Sequence, residues 1–494
     1  MRSRTIEPDK INAGMLNRYA LIALLLCAGV ARADYLETAR REAVEQAIEE
    51  LLEHAKWCTK HKLYRSRDDT YRLIIQLDPD QKKARRKLRY VRHSGGTWKR
   101  TRPLPDTYDR KLDLHPERDE RRRGIGKRYA DTVMPILEGG ATTGSLKTRA
   151  RVLTELFLID PENARGRTFN GEVRAGSRWL LTETVRARAR RRFIRDAARK
   201  ALAQAPVGKP VTPTAEEMSY GIRWTASIDA GGWRVLISAP AHEAPACQRA
   251  GDASGPFFES LFRLGPLQIP GARMMLLGSN NEYARLLKKH PGLTARNRVR
   301  YARLGGCWLP GGMTFVSRGI GGAETRLDEA ARMPLSVLLW KKLGLSGKQG
   351  WVWEGFGLYM SYHLVGYRRT TFVRYTRYSN DKQRDTKMNL LWGEMLSTHA
   401  SWFAIAKREA KSKFKPDWAL LLSKDVNQMN TRDLLESYML AAFILEAHPK
   451  KAAGILKRIG AGESSVIVLQ ETLGMPLPAL EARVGRWVRE HAVR

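Results

Sequence analysis

The residues best suited to chemistry in this chain are Asp328-Glu329-Ala330-Ala331-Arg332 and Glu354, which stands 22 residues beyond Arg332. On a helix, positions four apart share a face, so Asp328 and Arg332 are spaced for an ion pair. A second helix facing the first would let Glu354 accept from the same guanidinium fork. Two kinds of chemistry are open to such carboxylates. Glu329 and Glu354 could trade protons as an acid and base pair, or Asp328 and Glu354 could ligate a metal. Arg332 opposes the second, because a guanidinium stays protonated, has no lone pair to give and would fill the space a cation needs. The same five residues also suit an amphipathic surface helix, with Glu354 favoured near a helix start by the dipole.

Other candidates are weaker. His363, nine residues after Glu354, could join Asp328 and Glu354 around a metal, but a lone histidine on an amphipathic helix is more often structural. Gly311-Gly312 and Gly319-Ile320-Gly321-Gly322 lack the following Lys-Ser/Thr of a phosphate loop, so nucleotide binding is not indicated. No serine or cysteine stands in a nucleophile motif.

The elements that must position these residues are a set of short strands followed by helices. Trp233–Ser238, Arg273–Gly278 and Met313–Ser317 read as strands bounded by Gly and Pro. After Glu324 helical spacing returns and persists to the end, so the expected class for this half is α+β. Pro334, two residues beyond Arg332, predicts a kink or a lost backbone bond in the helix that carries the motif.

Asp328-Glu329-Ala330-Ala331-Arg332, followed by Trp351-Val352-Trp353-Glu354-Gly355-Phe356-Gly357-Leu358-Tyr359, resembles the active site of gluzincin zinc metallopeptidases. There, H-E-x-x-H on one helix is followed by a glutamate on the next, often within W-x-x-E-G. The order of segments over residues 219–494 is similar to that family as well: early strands, Asn281-Glu282-Tyr283, an edge strand at Gly311–Ser317, the two helices, and a helical tail containing Glu436-Ser437-Tyr438 and closing with Ala479-Leu480-Glu481 and Trp487-Val488. The resemblance implies a zinc cofactor, yet Asp328 and Arg332 occupy the histidine positions. No metal is expected at this site. Glu329 then becomes a vestigial general base, Tyr438 an oxyanion-side residue, and Asp328, Arg332 and Glu354 groups that line a binding cleft. The implied protein is a pseudoenzyme that holds a peptide, a protein or an anionic envelope polymer without cutting it. Two alternatives stand beside it: an active secreted hydrolase using Glu329 and Glu354 with unusual or no metal ligands, and a basic adaptor for anionic polymers.

From Asp34 to about Gln204 the pattern is helical and contains an echo. Leu77-Asp78-Pro79-Asp80 leads to Trp98, and Ile159-Asp160-Pro161-Glu162 leads to Trp179; the aspartates Asp78 and Asp160 precede their tryptophans by 20 and 19 residues. An Asp-Pro pair between helical runs is good turn chemistry. This all-α region resembles tetratricopeptide-like repeats, each closed by a tryptophan-bearing turn. Pro206, Pro210 and Pro213 then mark 206–218 as a linker, which divides the chain into 34–205 and 219–494.

Arg18, the apolar run Tyr19–Val30 and Ala31-Arg32-Ala33 have the order of a cleavable signal peptide over residues 1–33, with Met15 a possible start and Cys27 a poor lipoprotein site. The run is short for a membrane span and no later stretch is apolar enough, so an exported periplasmic or extracellular protein with no transmembrane segment after cleavage is expected. Removing five basic and two acidic side chains with the leader lowers the formal charge only from +36 to +33. That charge favours anionic partners, and export makes nucleic acid the least expected of them. The densest run, Arg186–Arg192, reads as an exposed helix face. With 494 residues and 43% apolar content the chain can bury a sizeable core. Cys247 and Cys307 could pair in an oxidising compartment, leaving Cys58 alone.

Overall fold

A computed structural model describes residues 12–103, 106–139, 146–319, 321–369, 385–397, 400–410 and 417–491; over 12–34, 146–147 and 385–389 the description is of helical backbone. The side chains of the expected signal peptide and Ile320 therefore lie outside the described residues. The chain forms two compact units, Met1–Leu180 and Leu181–Arg494.

The first unit contains α1 (Asn12–Lys60), α2 (Tyr64–Leu77), α3 (Lys82–Lys87), the hairpin β1 (Tyr90–Arg92) and β2 (Trp98–Arg100), then α4 (His115–Glu138), α5 (Leu146–Ile159), α6 (Ala164–Phe169) and the hairpin β3 (Glu172–Ala175) and β4 (Arg178–Leu181). The echo in the sequence is a structural duplication. Tyr64 and Leu146, which open α2 and α5, stand 82 residues apart, and the same offset carries α3 onto α6. It also carries the buried Ala43, Ala47, Leu51 and Ala55 of α1 onto the buried Ile125, Tyr129, Val133 and Leu137 of α4.

The hydrogen bonds repeat too. Asp78 accepts from the amide of Asp80 at 2.9 Å and Asp160 from that of Glu162 at 3.2 Å. Arg85 and Arg167 each donate to the carbonyl of the turn proline at 2.8 Å. Trp98 Nε1 donates to Asp80 at 2.8 Å and Trp179 Nε1 to Glu162 at 3.0 Å. The tryptophans thus stand on hairpins, where a purely helical region closed by turns was expected. Strands of three and four residues are too short to display alternation.

The second unit opens with α7 (Thr182–Gln204), β5 (Lys209–Pro210), α8 (Ala215–Ser219), β6 (Ala226–Asp229), β7 (Arg234–Ile237), α9 (Ala244–Phe262), β8 (Arg273–Leu276), α10 (Asn280–Lys289), α11 (Ala295–Tyr301), β9 (Gly306–Leu309) and β10 (Thr314–Ser317). It continues with α12 (Gly322–Leu343), α13 (Gly350–Val365), α14 (Asp385–Leu396), α15 (Trp402–Glu409), α16 (Trp418–Ser423), α17 (Thr431–Ala447), α18 (Pro449–Gly460), α19 (Ser465–Leu473) and α20 (Leu477–Glu490). The chain is mostly helical with small sheets, an α+β protein. The sheet order is β5-β6-β7-β8-β10-β9, with β7, β8 and β10 parallel and the remaining pairs antiparallel.

Alternate strand residues feed opposite faces. Val235, Ile237, Met274 and Leu276 pack into the large core with α9, α12, α13 and α17, while Leu236, Met275, Leu277 and Val316 pack with Tyr283 and Leu286 of α10.

Four expectations are corrected here. The unit boundary falls after Leu180, and α7 belongs with the C-terminal half: Thr184 donates to Glu490 at 2.8 Å and Arg483 pairs with Glu183 at 2.8 Å. Residues 206–218 are no free linker, since Lys209-Pro210 pairs with β6 and Thr214 and Glu217 form a capping box on α8. Thr314–Ser317 is interior to the sheet, and β9 takes the edge instead. The helix α12 runs unbroken through Pro334 and ends at Gly344, whose φ of 71° is the left-handed conformation of a glycine cap. No helix among the described residues is long and apolar enough to cross a membrane.

Candidate functional site

The face of α12 that turns inward carries Asp328, Glu329 and Arg332, and α13 brings Glu354 against them. All four are buried, at 0%, 0%, 1% and 0% exposure in that order, so none lines an open cleft. The expectation that Asp328, Arg332 and Glu354 form a cleft surface is therefore not met by the geometry. Their convergence is met. Arg332 Nε donates to Asp328 Oδ2 at 3.1 Å, and its NH1 lies 3.6 Å from Glu354 Oε2. Gly357, three residues past Glu354, makes room for the arginine stem: a Cβ there would stand 3.4 Å from Arg332 Cγ.

Charge balance sets the protonation of this cluster. Burial pulls the Arg332 pKa down, but Asp328, Glu354 and Glu329 outweigh it and leave it above its ordinary value, so the guanidinium stays charged. Burial raises the Asp328 pKa against the pull of Arg332. Burial also pushes Glu329 up to about 7, with the Ser317 hydroxyl and Arg332 working in the other direction. Among the described residues neither Glu329 oxygen has a hydrogen-bond partner of ordinary geometry, consistent with a carboxyl that enters the core neutral.

A pH dependence follows, with its sign fixed by linkage. The folded-state pKa of Glu329 lies above the unfolded value of 4.5, so stability from its protonated form is fully present below about pH 4.5 and lost as pH rises through about 7. Glu329→Gln is therefore expected to be more stable than the parent at pH 8 by up to roughly 3 kcal/mol. The difference is expected to vanish near pH 4, as urea denaturation at the two pH values would show.

These groups do not suit the zinc that the gluzincin resemblance implies. The permanently charged guanidinium sits between the two carboxylates that would have to turn toward a metal, and it engages one oxygen of each. Among the described residues no three His, Cys, Asp or Glu side chains gather as a metal-ligand set.

His363 packs its ring against Tyr359 at 4.6 Å and Tyr362 at 5.7 Å, as the structural reading expected. Tyr438 is buried within α17, with Trp402 at 4.9 Å and Tyr359 at 5.5 Å, and its hydroxyl accepts from Arg368 at 3.3 Å. Burial pushes its pKa up to about 12. It packs, and its hydrogen bond is not to the Asp328–Arg332–Glu354 cluster.

A second buried cluster is assembled from residues far apart in the sequence. Glu446 of α17 accepts from Arg191 of α7 at 2.9 Å, from the Tyr359 hydroxyl at 2.8 Å, and lies 3.2 Å from His491 Nε2. Burial pushes Glu446 up to about 7. The run Arg186–Arg192 is thus not a wholly exposed face, since Arg191 is drawn inward. Helix amphipathicity could have flagged Arg191, but its partners lie 255 and 300 residues away. Cys58, Cys247 and Cys307 are all free and buried, so the Cys247–Cys307 pairing that an oxidising compartment would allow is not formed.

The chain matches no protein-family model, no curated protein and no solved structure.

Proposed function

We propose that the unit Leu181–Arg494 is a metal-free, peptidase-like domain of an exported protein, one that holds a peptide or envelope component without hydrolysing it. The observation that supports this reading is Arg332 buried between Asp328 and Glu354, at a position that the resemblance aligns with a zinc-binding histidine. Zinc needs neutral imidazole, thiolate or carboxylate ligands, and a guanidinium is none of these. Without the ion there is no activated water, so Glu329 has nothing to deprotonate. An extended segment could still add to a sheet edge such as β9, where main-chain bonds supply affinity without catalysis.

Metal analysis and peptide turnover test the reading together. The purified protein is expected to hold no stoichiometric zinc and to leave casein intact. One tightly held zinc per chain, lost in Glu354→Ala, would refute it. The family relationship has its own test. Asp328→His with Arg332→His restores two imidazoles four residues apart, and this variant is expected to bind one zinc that Glu354→Ala removes.

The alternative is a hydrolase that uses Glu329 and Glu354 as an acid and base pair, and burial that pushes the Glu329 carboxyl up to about 7 supports it. Casein turnover that disappears in Glu329→Gln, without any metal, would establish that reading.

A further inference from the structure

The duplication in the first unit lets each copy serve as a reference for the other. In the second copy Arg165 of α6 is clasped by Glu138 of α4, with Nε to Oε1 at 2.9 Å and NH2 to Oε2 at 2.6 Å, while Asp131 lies 3.9 Å from its NH1. These carboxylates tie the short helix to the long one. Carried back by the same offset, Arg165 becomes Lys83, Asp131 becomes Glu49 and Glu138 becomes Lys56. The tying carboxylate has become a second cation.

The first copy is correspondingly open. A groove of about 1130 Å³ lies between α1 and α3, lined by Lys56, Lys60, Lys83, Arg86 and Lys87, with Tyr71 and Leu52 supplying apolar surface. Among the described residues Lys56 pairs only with Glu53 on its own helix, at 2.6 Å, and both side chains are about 70% exposed, so the pair holds it weakly. Among the described residues Lys60, Lys83, Arg86 and Lys87 make no ion pair. The α1 wall carries Glu49, Glu50 and Glu53 beside these cations. A uniform polyanion laid along the groove would meet those carboxylates, whereas a peptide can space its acidic side chains to avoid them and place an apolar one against Tyr71.

We propose that this groove binds an acidic peptide segment whose carboxylates bridge Lys56 and Lys83, as Glu138 engages Arg165 in the second copy. The proposal is independent of the reading of the unit Leu181–Arg494.

The test uses the full chain and a fluorescein-labelled twelve-residue peptide with glutamate at every third position and leucine and serine between, followed by anisotropy. One peptide is expected per chain, and the glutamine version of the peptide is expected to bind at least about tenfold more weakly. Lys83→Glu, which sets a carboxylate opposite Lys56, is expected to weaken binding by a similar factor with an unchanged melting temperature. Glu138→Lys gives the second copy the charge pattern of the first and is expected to add a second bound peptide. Unchanged binding in either variant overturns the proposal, as does inorganic polyphosphate that binds tighter than the peptide and ignores Lys83→Glu.

Discussion

Arg332→Ala is expected to destabilise the second unit by about 3–5 kcal/mol, because it strands Asp328 and Glu354 as uncompensated carboxylates in the core. The loss should show as a shift of the guanidinium chloride midpoint with little change in slope. Desolvation, and not attraction, makes the figure large. At 3.1 and 3.6 Å the two contacts are modest, but side chains exposed by 1% or less have almost no water to fall back on. The same logic fixes a companion result. Replacing Asp328, Arg332 and Glu354 together by Leu, Met and Leu removes every charge that needs a partner, and that variant is expected to recover most of the loss. If the triple variant is as unstable as Arg332→Ala, the cluster is held by something other than mutual neutralisation.

Gly355→Ala is expected to cost about 3 kcal/mol, at the upper end of what overpacking usually does. Helices α13 and α17 touch at this residue, and a Cβ added to Gly355 would lie 2.4 Å from the carbonyl oxygen of Ser437. That oxygen belongs to a helix backbone and cannot swing aside, so the helices must separate and loosen the packing of Tyr359 on Tyr438. Gly454, exposed on α18 with nothing within 4 Å of its added Cβ, is the control. Gly454→Ala is expected to be neutral or stabilising by up to about 1 kcal/mol, since alanine suits a helix better. Thermal melts of the two variants side by side separate the close approach from helix propensity.

How much of this was legible in the sequence depended on the range of the interaction. Asp328 and Arg332 are one helical turn apart, so their pairing is written in the spacing, and Glu354 follows once two helices are expected. The depth at which they lie was not written there, because burial depends on α9 and α17 closing over them. The Asp-Pro turns and their tryptophans were visible as an echo, yet the hairpins were not, since β1 has three residues and β3 four. Proline misled in both directions. Pro210 suggested a linker but sits in an edge strand, where its missing N–H costs no ladder bond, and Pro334 suggested a kink in a helix that packing keeps continuous. Glu446 was invisible because Arg191, Tyr359 and His491 come from three distant parts of the chain.

The two units differ in how much chain must be made before their long-range bonds can close: Arg40 reaches Glu155 across 115 residues in the first, and Thr184 reaches Glu490 across 306 in the second. In the first, the bonds from Trp98 to Asp80 and from Trp179 to Glu162 span only 18 and 17 residues, so each half can latch soon after its hairpin is made. In the second, Arg483 also reaches Glu183 across 300 residues. Helix α7 is among the first parts of that unit synthesised and must wait for nearly the last, leaving its apolar stripe for chaperones to shield in the interval.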